Sequence, residues 1–186
     1  MSQVNSRQTK EKPMSESKIN KMRMLFVAAA IAAMLVLPAG VATAATLTWD
    51  ANGLRDGQPD GGGAWLDANQ WWDGANNPSW TSGYDASFGL GGAGGAVTLG
   101  GPTTVGLLTM NAFTGTYTLG MAGQAITLNS GITVNSGAGD TTIVSPVTLG
   151  GAQSWLNSST SLLTVSGDVT NGGNLLTVGG TGNTTV

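Results

Sequence analysis

A short alternating pattern constrains the fold of this chain more than any other feature. Between Val97 and Val178 the triplet apolar–Thr–apolar recurs eight times. Strict alternation places both apolar side chains on one face of a strand and Thr on the other, and branched Cβ atoms suit a pleated surface. The triplets are Val97–Leu99, Leu108–Met110, Tyr117–Leu119, Ile126–Leu128, Ile132–Val134, Val147–Leu149, Leu163–Val165 and Leu176–Val178.

The segments between the triplets are rich in Gly, Asn, Ser and Asp, which are turn signals. The central Thr residues are spaced by 11, 9, 9, 6, 15, 16 and 13 positions, and no window has a helical period. Such short strands, with Gly and Asn at the corners and uncharged outer positions, favour a parallel β-helix. The uneven spacing leaves a sandwich or barrel as the alternative. The regular recurrence of apolar residues argues against disorder, which this Gly-rich composition could otherwise indicate.

The N-terminus has the pattern of a signal peptide. Lys18, Lys21 and Arg23 precede an apolar run of fifteen residues, 24–38, and a small-residue A-x-A site follows at Ala42–Ala44. The run is shorter than the roughly 20 residues of a spanning helix. We therefore expect residues 1–44 to be a signal peptide with an extended basic region, cleaved by the export machinery between Ala44 and Ala45. An uncleaved anchor is the alternative.

The composition after the predicted cleavage site excludes several classes of function. Residues 45–186 contain one arginine, Arg55, eight aspartates and no Lys, Glu, His or Cys, giving a formal charge of −7. Nucleic-acid binding requires basic residues, so we expect no nucleic-acid partner. The usual zinc sites, Ser-His-Asp triads and thiol nucleophiles are excluded as well. We predict no cofactor.

Tryptophan is concentrated before the regular triplets. Residues 45–95 contain five of the six tryptophans and six of the eight mature aspartates. An open solenoid end exposes core and strand edges, and terminal coils are therefore atypical caps. We predict a Trp/Asp/Gly-rich N-terminal cap over 45–95 and β-helix repeats over 96–186.

The tryptophan spacing resembles that of a known bacterial family. LTWD at 47–50, GGGAWLDANQWWDGANNPSWTSGYDASFG at 61–89 and AVTLGGPTTVGLLTM at 96–110 are similar to the opening of proteins with the autotransporter-associated β-strand repeat, or passenger-associated transport repeat. The matching positions are Trp65, Trp71, Trp72, Asp73, Gly74, Asn76 and Trp80. The resemblance covers nearly all of residues 45–186.

This resemblance implies a right-handed parallel β-helix passenger that is exported and displayed on the cell surface or secreted. The chain departs from the family in lacking its Gly-rich G-x-G-x-L-x-L-x-G-x-N-x-Y-x-G repeat. It also stops in mid-pattern at TGNTTV. We therefore expect it to be the front portion of a longer gene product, or a truncated one.

The tryptophans have two interpretations. Trp71 and Trp72 are adjacent, so on a strand they face opposite sides and at most one points into a core. As buried rings they would close the end of the solenoid. As exposed rings Trp71, Trp72 and Trp80 would be a ligand surface for a surface glycan or a cell-envelope component, because sugar rings stack on indole faces.

The acidic residues support neither a metal site nor catalysis. Asp50, Asn52, Asp56 and Asp60 offer oxygen ligands for calcium, but their spacing matches no calcium motif and Asp-Gly is commoner in turns. Glycoside chemistry needs two carboxylates across a groove. After residue 96 only Asp140 and Asp168 remain, both in turn-like contexts. We predict no metal site and no catalytic residues.

These observations favour an exported, non-enzymatic structural or interaction protein, a β-helix passenger or stalk segment for the cell surface or secretion. The alternative is a carbohydrate-binding adhesin that uses the Trp-rich segment. A polysaccharide-acting β-helix enzyme is the third interpretation.

Overall fold

The computed structural model describes residues 44–55, 57–121 and 123–186. Apart from Ala44 the predicted signal peptide lies outside the described residues, and so does Asp56. No helix long and apolar enough to cross a membrane occurs within the described ranges. The strands are β1 (Thr46–Trp49), β2 (Gly63–Ala64), β3 (Trp71–Trp72), β4 (Asp85–Phe88), β5 (Ala96–Thr98), β6 (Thr103–Met110), β7 (Thr116–Leu119), β8 (Ile126–Val134), β9 (Asp140–Ile143), β10 (Val147–Leu149), β11 (Gln153–Asn157), β12 (Leu163–Val165), β13 (Val169–Thr170), β14 (Leu176–Gly180) and β15 (Thr184–Thr185).

The strands form two sheets in which nearly every pairing is parallel. The first sheet has nine strands: seven follow the order β13-β10-β8-β6-β4-β1-β3, β11 also pairs with β8, and β14 pairs with β11. The second has six strands in the order β15-β12-β9-β7-β5-β2. The chain passes from one sheet to the other and back in each circuit, and each circuit stacks in parallel on the one before, so the chain winds as a parallel β-solenoid. From β6 onward each circuit adds one strand to the second sheet and either one long strand or two shorter strands to the first. The prediction of an all-β, parallel β-helix fold is confirmed.

Residues stacked in register from β4 onward are 21 to 24 positions apart. We call a set of residues stacked in register through successive coils a column. One inward-facing column, for example, contains Leu108, Ile132 and Trp155. All three side chains are fully buried. The uneven spacing of the triplets arises because consecutive triplets belong to different faces of the same coil, whereas the period of a whole coil is nearly constant.

The shortest spacing, between Thr127 and Thr133, falls inside a single strand. β8 contains two triplets that serve two faces, and the corner between them is a bulge where Val105–Leu107 of β6 lies against Leu128–Gly131. In the next coil the same corner separates β10 from β11. Gly131 occupies the corner with φ of 113°, a conformation that glycine adopts without a steric penalty.

The N-terminal segment contributes strands to both sheets. β1 pairs in parallel with β4, although Leu47 and its partner Ala86 are 39 positions apart. β2 pairs with β5 in the second sheet. The long connection between β1 and β4 also carries β3, which runs antiparallel to β1 and covers its outer edge. This pairing satisfies backbone groups that an open solenoid end would leave free.

The last coil, β13 to β15, is more exposed than the coils before it. Trp155 is 0 % exposed, whereas Val178, which stacks on it, is 47 % exposed. Leu175 and Val186 are exposed as well. Within the described residues no further coil lies on this one, so its inward-facing side chains remain partly in solvent.

Candidate functional site: the tryptophan cluster and the outer face of the first sheet

Aromatic rings fill the first coils of the solenoid. Three tryptophans are fully buried and a fourth, Trp80, packs partly buried against them. The centroids of Trp71 and Trp80 are 4.6 Å apart, and those of Trp65 and Trp71 are 4.8 Å apart. Edge-to-face and tilted contacts at such distances are favourable for π-systems. The members of this tryptophan cluster are Trp49, Trp65, Trp71, Trp80 and Phe88.

The indole N–H groups of the cluster are only partly satisfied. Trp49 Nε1 donates to the carbonyl oxygen of Gly61 at 3.0 Å, and Trp71 Nε1 donates to that of Trp65 at 2.8 Å. Trp65 Nε1 and Trp80 Nε1 are buried without a partner among the described residues. The first bond ties the long β1–β4 connection to Trp49 of β1, and the second is made within the connection.

The adjacent residues Trp71 and Trp72 point to opposite sides of β3, as their adjacency predicts. Trp71 lies opposite Trp49 and is 0 % exposed, so it offers no ring face to solvent. Trp72 lies opposite Thr48 and is half-buried. Thr48 is flanked by the inward-facing Leu47 and Trp49 and is itself on the outer side. The structure therefore divides the predicted ligand residues: Trp71 is in the core, Trp80 is at its margin and Trp72 is on the outer face.

Polar side chains continue the outer face below Trp72. Thr48 stacks on Ser87 of β4, which stacks on Thr109 of β6, which in turn stacks on Thr133 of β8. These four side chains are half-buried. In the following coil the same position is occupied by Leu156, which is exposed. We call the outer surface formed by Trp72, Thr48, Ser87, Thr109 and Thr133 the polar row.

Two asparagines lie beside the polar row. Asn111 Nδ2 donates to Ser87 Oγ at 3.0 Å and to the carbonyl oxygen of Phe88 at 3.1 Å. Asn135 Nδ2 donates to Asn111 Oδ1, also at 3.0 Å. The asparagines were not among the predicted site residues, although the sequence carries a signal for them: each directly follows a triplet, in LTMN and ITVN.

The acidic residues considered as calcium ligands accept hydrogen bonds from the protein. Asp50 is buried, accepting the N–H groups of Asn52 and Gly53 at Oδ1 and Asn77 Nδ2 at Oδ2. Asp60 accepts three backbone N–H groups and a hydroxyl, from Gly89, Leu90, Gly92 and Tyr117. The ranges that the structure describes contain no cluster of three His, Cys, Asp or Glu residues suited to a metal ion.

The two acids of the later coils are at the surface. Asp140 begins β9, is exposed and accepts the N–H of Leu162 at 2.9 Å. Asp168 is exposed in the turn before β13.

Two titratable groups have displaced pKa values. The N–H groups of Asn76 and Ala75 donate to the carboxylate of Asp73 and lower its pKa. Burial raises the pKa of the Tyr117 hydroxyl, the N–H of Gly61 opposes this shift, and the hydrogen bond to Asp60 adds to it. Asp73 therefore provides a stable negative charge directly after Trp72, whereas Tyr117 is held neutral.

Comparison with known proteins finds similarity to part of an autotransporter adhesin. The chain is 36 % identical over 151 residues to the adhesin BmaC autotransporter of Brucella suis biovar 1 (strain 1330), and the match covers 77 % of this chain. The chain spans about 4 % of the length of that relative. No protein-family model and no solved structure matches the chain. The match therefore relates this chain to one small part of a far longer autotransporter adhesin.

Proposed function

We propose that this chain is an exported, non-enzymatic passenger segment of the adhesin type, whose solenoid carries an adhesive outer surface. The observation that carries this proposal is the in-register stacking of parallel coils in a chain similar to an autotransporter adhesin. Each coil of a solenoid contacts only its neighbours, so the architecture extends lengthwise and presents long, repetitive side faces. Such faces suit attachment better than a single enclosed pocket does.

Export is tested by expressing the full chain in a Gram-negative host and separating the cell fractions. We expect a product that begins at Ala45 and is found outside the inner membrane. Ala44→Leu, which places a bulky side chain at the predicted cleavage site, should leave the precursor uncleaved. Recovery of the chain from the cell interior with an intact N-terminus would contradict the proposal.

The non-enzymatic part of the proposal rests on the acids of the later coils. Glycoside hydrolysis uses two carboxylates that flank the bound sugar, whereas Asp140 is exposed and already accepts a backbone N–H, and Asp168 is exposed in a turn. Incubation of the purified chain with neutral and acidic polysaccharides should release neither reducing ends nor unsaturated products. Release that is lost in Asp140→Asn and Asp168→Asn together would assign the chain to the enzymes.

Carbohydrate binding through the Trp-rich segment is the second candidate function, and the outward position of Trp72 favours it. Collisional quenching by acrylamide should reduce the fluorescence of the full chain only partly, because the buried rings are inaccessible. The accessible fraction should fall in Trp72→Phe, and the partly buried Trp80 accounts for any remainder. If that fraction is unchanged in Trp72→Phe, the ring of Trp72 is not available to a ligand.

A further inference from the structure

The outer side of the first sheet combines an aromatic ring with a continuous set of polar groups. Trp72 begins the polar row, and Thr48 lies directly opposite it on β1. Side chains directly opposite each other in an antiparallel pair are in contact range. The ring is therefore next to a hydroxyl group, as a ligand with both an apolar face and hydroxyl groups requires.

The remaining positions of the polar row extend this combination across several strands. Neighbouring strands are about 4.8 Å apart, so the path from Trp72 through Thr48, Ser87 and Thr109 to Thr133 covers about 19 Å. Hydroxyl groups both donate and accept hydrogen bonds. The Asn111 amide can only accept from a ligand, because both of its N–H groups already donate to Ser87 and Phe88. The asparagine side chains are held in place by the bonds to Ser87 and to each other. A ligand would thus meet preorganised partners.

The polar row ends at Thr133. Leu156 follows Thr133 in the same column, and Gly179 follows Leu156. Leu156 has an apolar side chain and Gly179 has none, so neither offers a side-chain hydrogen-bonding group. A ligand that depends on the ring and on the polar groups would therefore contact the coils of β1, β4, β6 and β8 and not the last two.

The negative charge near Trp72 favours a neutral ligand over an anionic one. Asp73 is exposed and directly follows Trp72, and Asp85 lies at the start of β4, where it accepts the N–H of Leu107. Arg55 is the only basic residue between positions 45 and 186. A ligand with carboxylate or sulfate groups would face negative charge with almost no basic residue to compensate it. A neutral ligand avoids this repulsion.

We propose that the polar row is a binding surface for an extended neutral glycan, with one sugar ring on Trp72 and its hydroxyl groups on the row below. This inference rests on the proposed adhesin-type function, since it names the class of ligand that the passenger would hold. The glycan lies across the strands, so successive sugar rings reach successive coils. Its affinity comes from one ring contact and several hydrogen bonds.

The experiment is calorimetric titration of the full chain, purified from the exporting host, with cellohexaose and the fully N-acetylated chitohexaose, and with hexagalacturonate as the anionic counterpart. We expect binding of at least one neutral hexasaccharide and none of hexagalacturonate. Trp72→Ala should weaken binding by about tenfold, which is the size of the loss of one good ring contact. Thr109→Val, which removes a hydroxyl without changing the shape of the side chain, should weaken it by about threefold.

A matched control distinguishes the polar row from threonines in general. Thr142 is a half-buried outward threonine of β9 in the second sheet, stacked between Thr118 and Thr164. Thr142→Val should leave binding unchanged. Equal effects of Thr142→Val and Thr109→Val, tighter binding of hexagalacturonate, or no binding of either neutral probe would each overturn the proposal. These outcomes leave the export test untouched, so the two proposals can fail separately.

Discussion

The hydroxyl of Tyr117 donates a 2.8 Å hydrogen bond to Asp60 Oδ1, and 57 positions separate the two residues in the chain. The same hydroxyl accepts the N–H of Gly61 at 3.1 Å. Tyr117 is a buried inward-facing residue of β7, whereas Asp60 lies in the long connection between β1 and β2. This contact therefore fastens the N-terminal connection to a coil two circuits further along the chain.

Removing the hydroxyl should destabilise the fold measurably. Tyr117→Phe leaves the Gly61 N–H without its partner, and a lost buried hydrogen bond of this kind costs about 1–3 kcal/mol. We expect that reduction in the free energy of unfolding measured by urea denaturation. Tyr84, the other tyrosine of the chain, is half-buried and gives the matched control. Equal losses for Tyr84→Phe and Tyr117→Phe would show that the hydrogen bonds of Tyr117 contribute no more to stability than the hydroxyl of Tyr84 does.

The raised pKa of Tyr117 predicts a loss of stability at alkaline pH. In the unfolded chain the hydroxyl ionises near its ordinary pKa of about 10, whereas burial keeps it protonated in the folded protein. The unfolded state thus releases a proton that the folded state retains. The free energy of unfolding should therefore be unaffected below about pH 9 and fall by about 1.4 kcal/mol per pH unit well above pH 10.

Urea denaturation at a series of alkaline pH values tests this dependence. In Tyr117→Phe the decrease in unfolding free energy that comes from Tyr117 should be absent. Ionisation of the remaining groups still contributes to the pH dependence. A slope that is the same in both proteins would mean that Tyr117 ionises equally in the folded and unfolded chains.

The parallel β-helix could be predicted because the information is local. Each triplet predicts that its two apolar side chains are buried and that its Thr faces outward. Seven of the eight triplets have this arrangement. The eighth, Leu176–Val178, differs because no described coil covers it. The length of one coil could not be read from the triplet spacing, because the triplets of one coil lie on different faces. Thr127 and Thr133 belong to two triplets within a single strand.

The candidate site was predictable only in part. The adjacency of Trp71 and Trp72 was enough to place them on opposite sides of a strand. The partner of Trp72 was not predictable, because Thr48 lies across a 21-residue connection and its register is set by tertiary packing. The role of Asp60 was hidden for the same reason, since its donors come from residues 29 to 57 positions away.

The two adjacent tryptophans should respond differently to truncation. Trp71→Ala empties a fully buried ring position and removes contacts to Trp65 and Trp80, which costs about 3–5 kcal/mol. Trp72→Ala removes a half-buried ring from the outer face and should cost about 1 kcal/mol or less. Urea denaturation followed by circular dichroism measures both. Comparable losses would contradict the alternation of β3.

The corner glycine of β8 should not tolerate a side chain. Gly131 has φ of 113°, and a Cβ at this position would collide with the carbonyl oxygen of Ser154 in the next coil. Backbone strain alone costs about 1–3 kcal/mol, and the collision adds to it. Gly131→Ala should therefore lower the free energy of unfolding by more than about 2 kcal/mol.

Gly151 provides the control for this substitution. A Cβ there would meet the carbonyl oxygen of Asn129 at 3.5 Å, an ordinary van der Waals contact. Gly151→Ala should change the free energy of unfolding by about 0.5 kcal/mol or less. Tolerance of alanine at both positions would mean that the coils are further apart at this corner than the structure has them.

The exposure of the last coil gives a final test, in which the same substitution is made at two levels of one column. Val147 of β10 stacks in register on Val169 of β13; Val147 is buried, whereas Val169 is only partly covered. Val147→Ala should cost about 2–3 kcal/mol, because the transfer of two methyl groups is lost and a cavity remains. Val169→Ala should cost about 1 kcal/mol or less, since much of its surface is already in water. Thermal unfolding of the full chain measures the difference. Equal losses would show that something covers the last coil in solution, and the exposed Val178 would then be part of an interface.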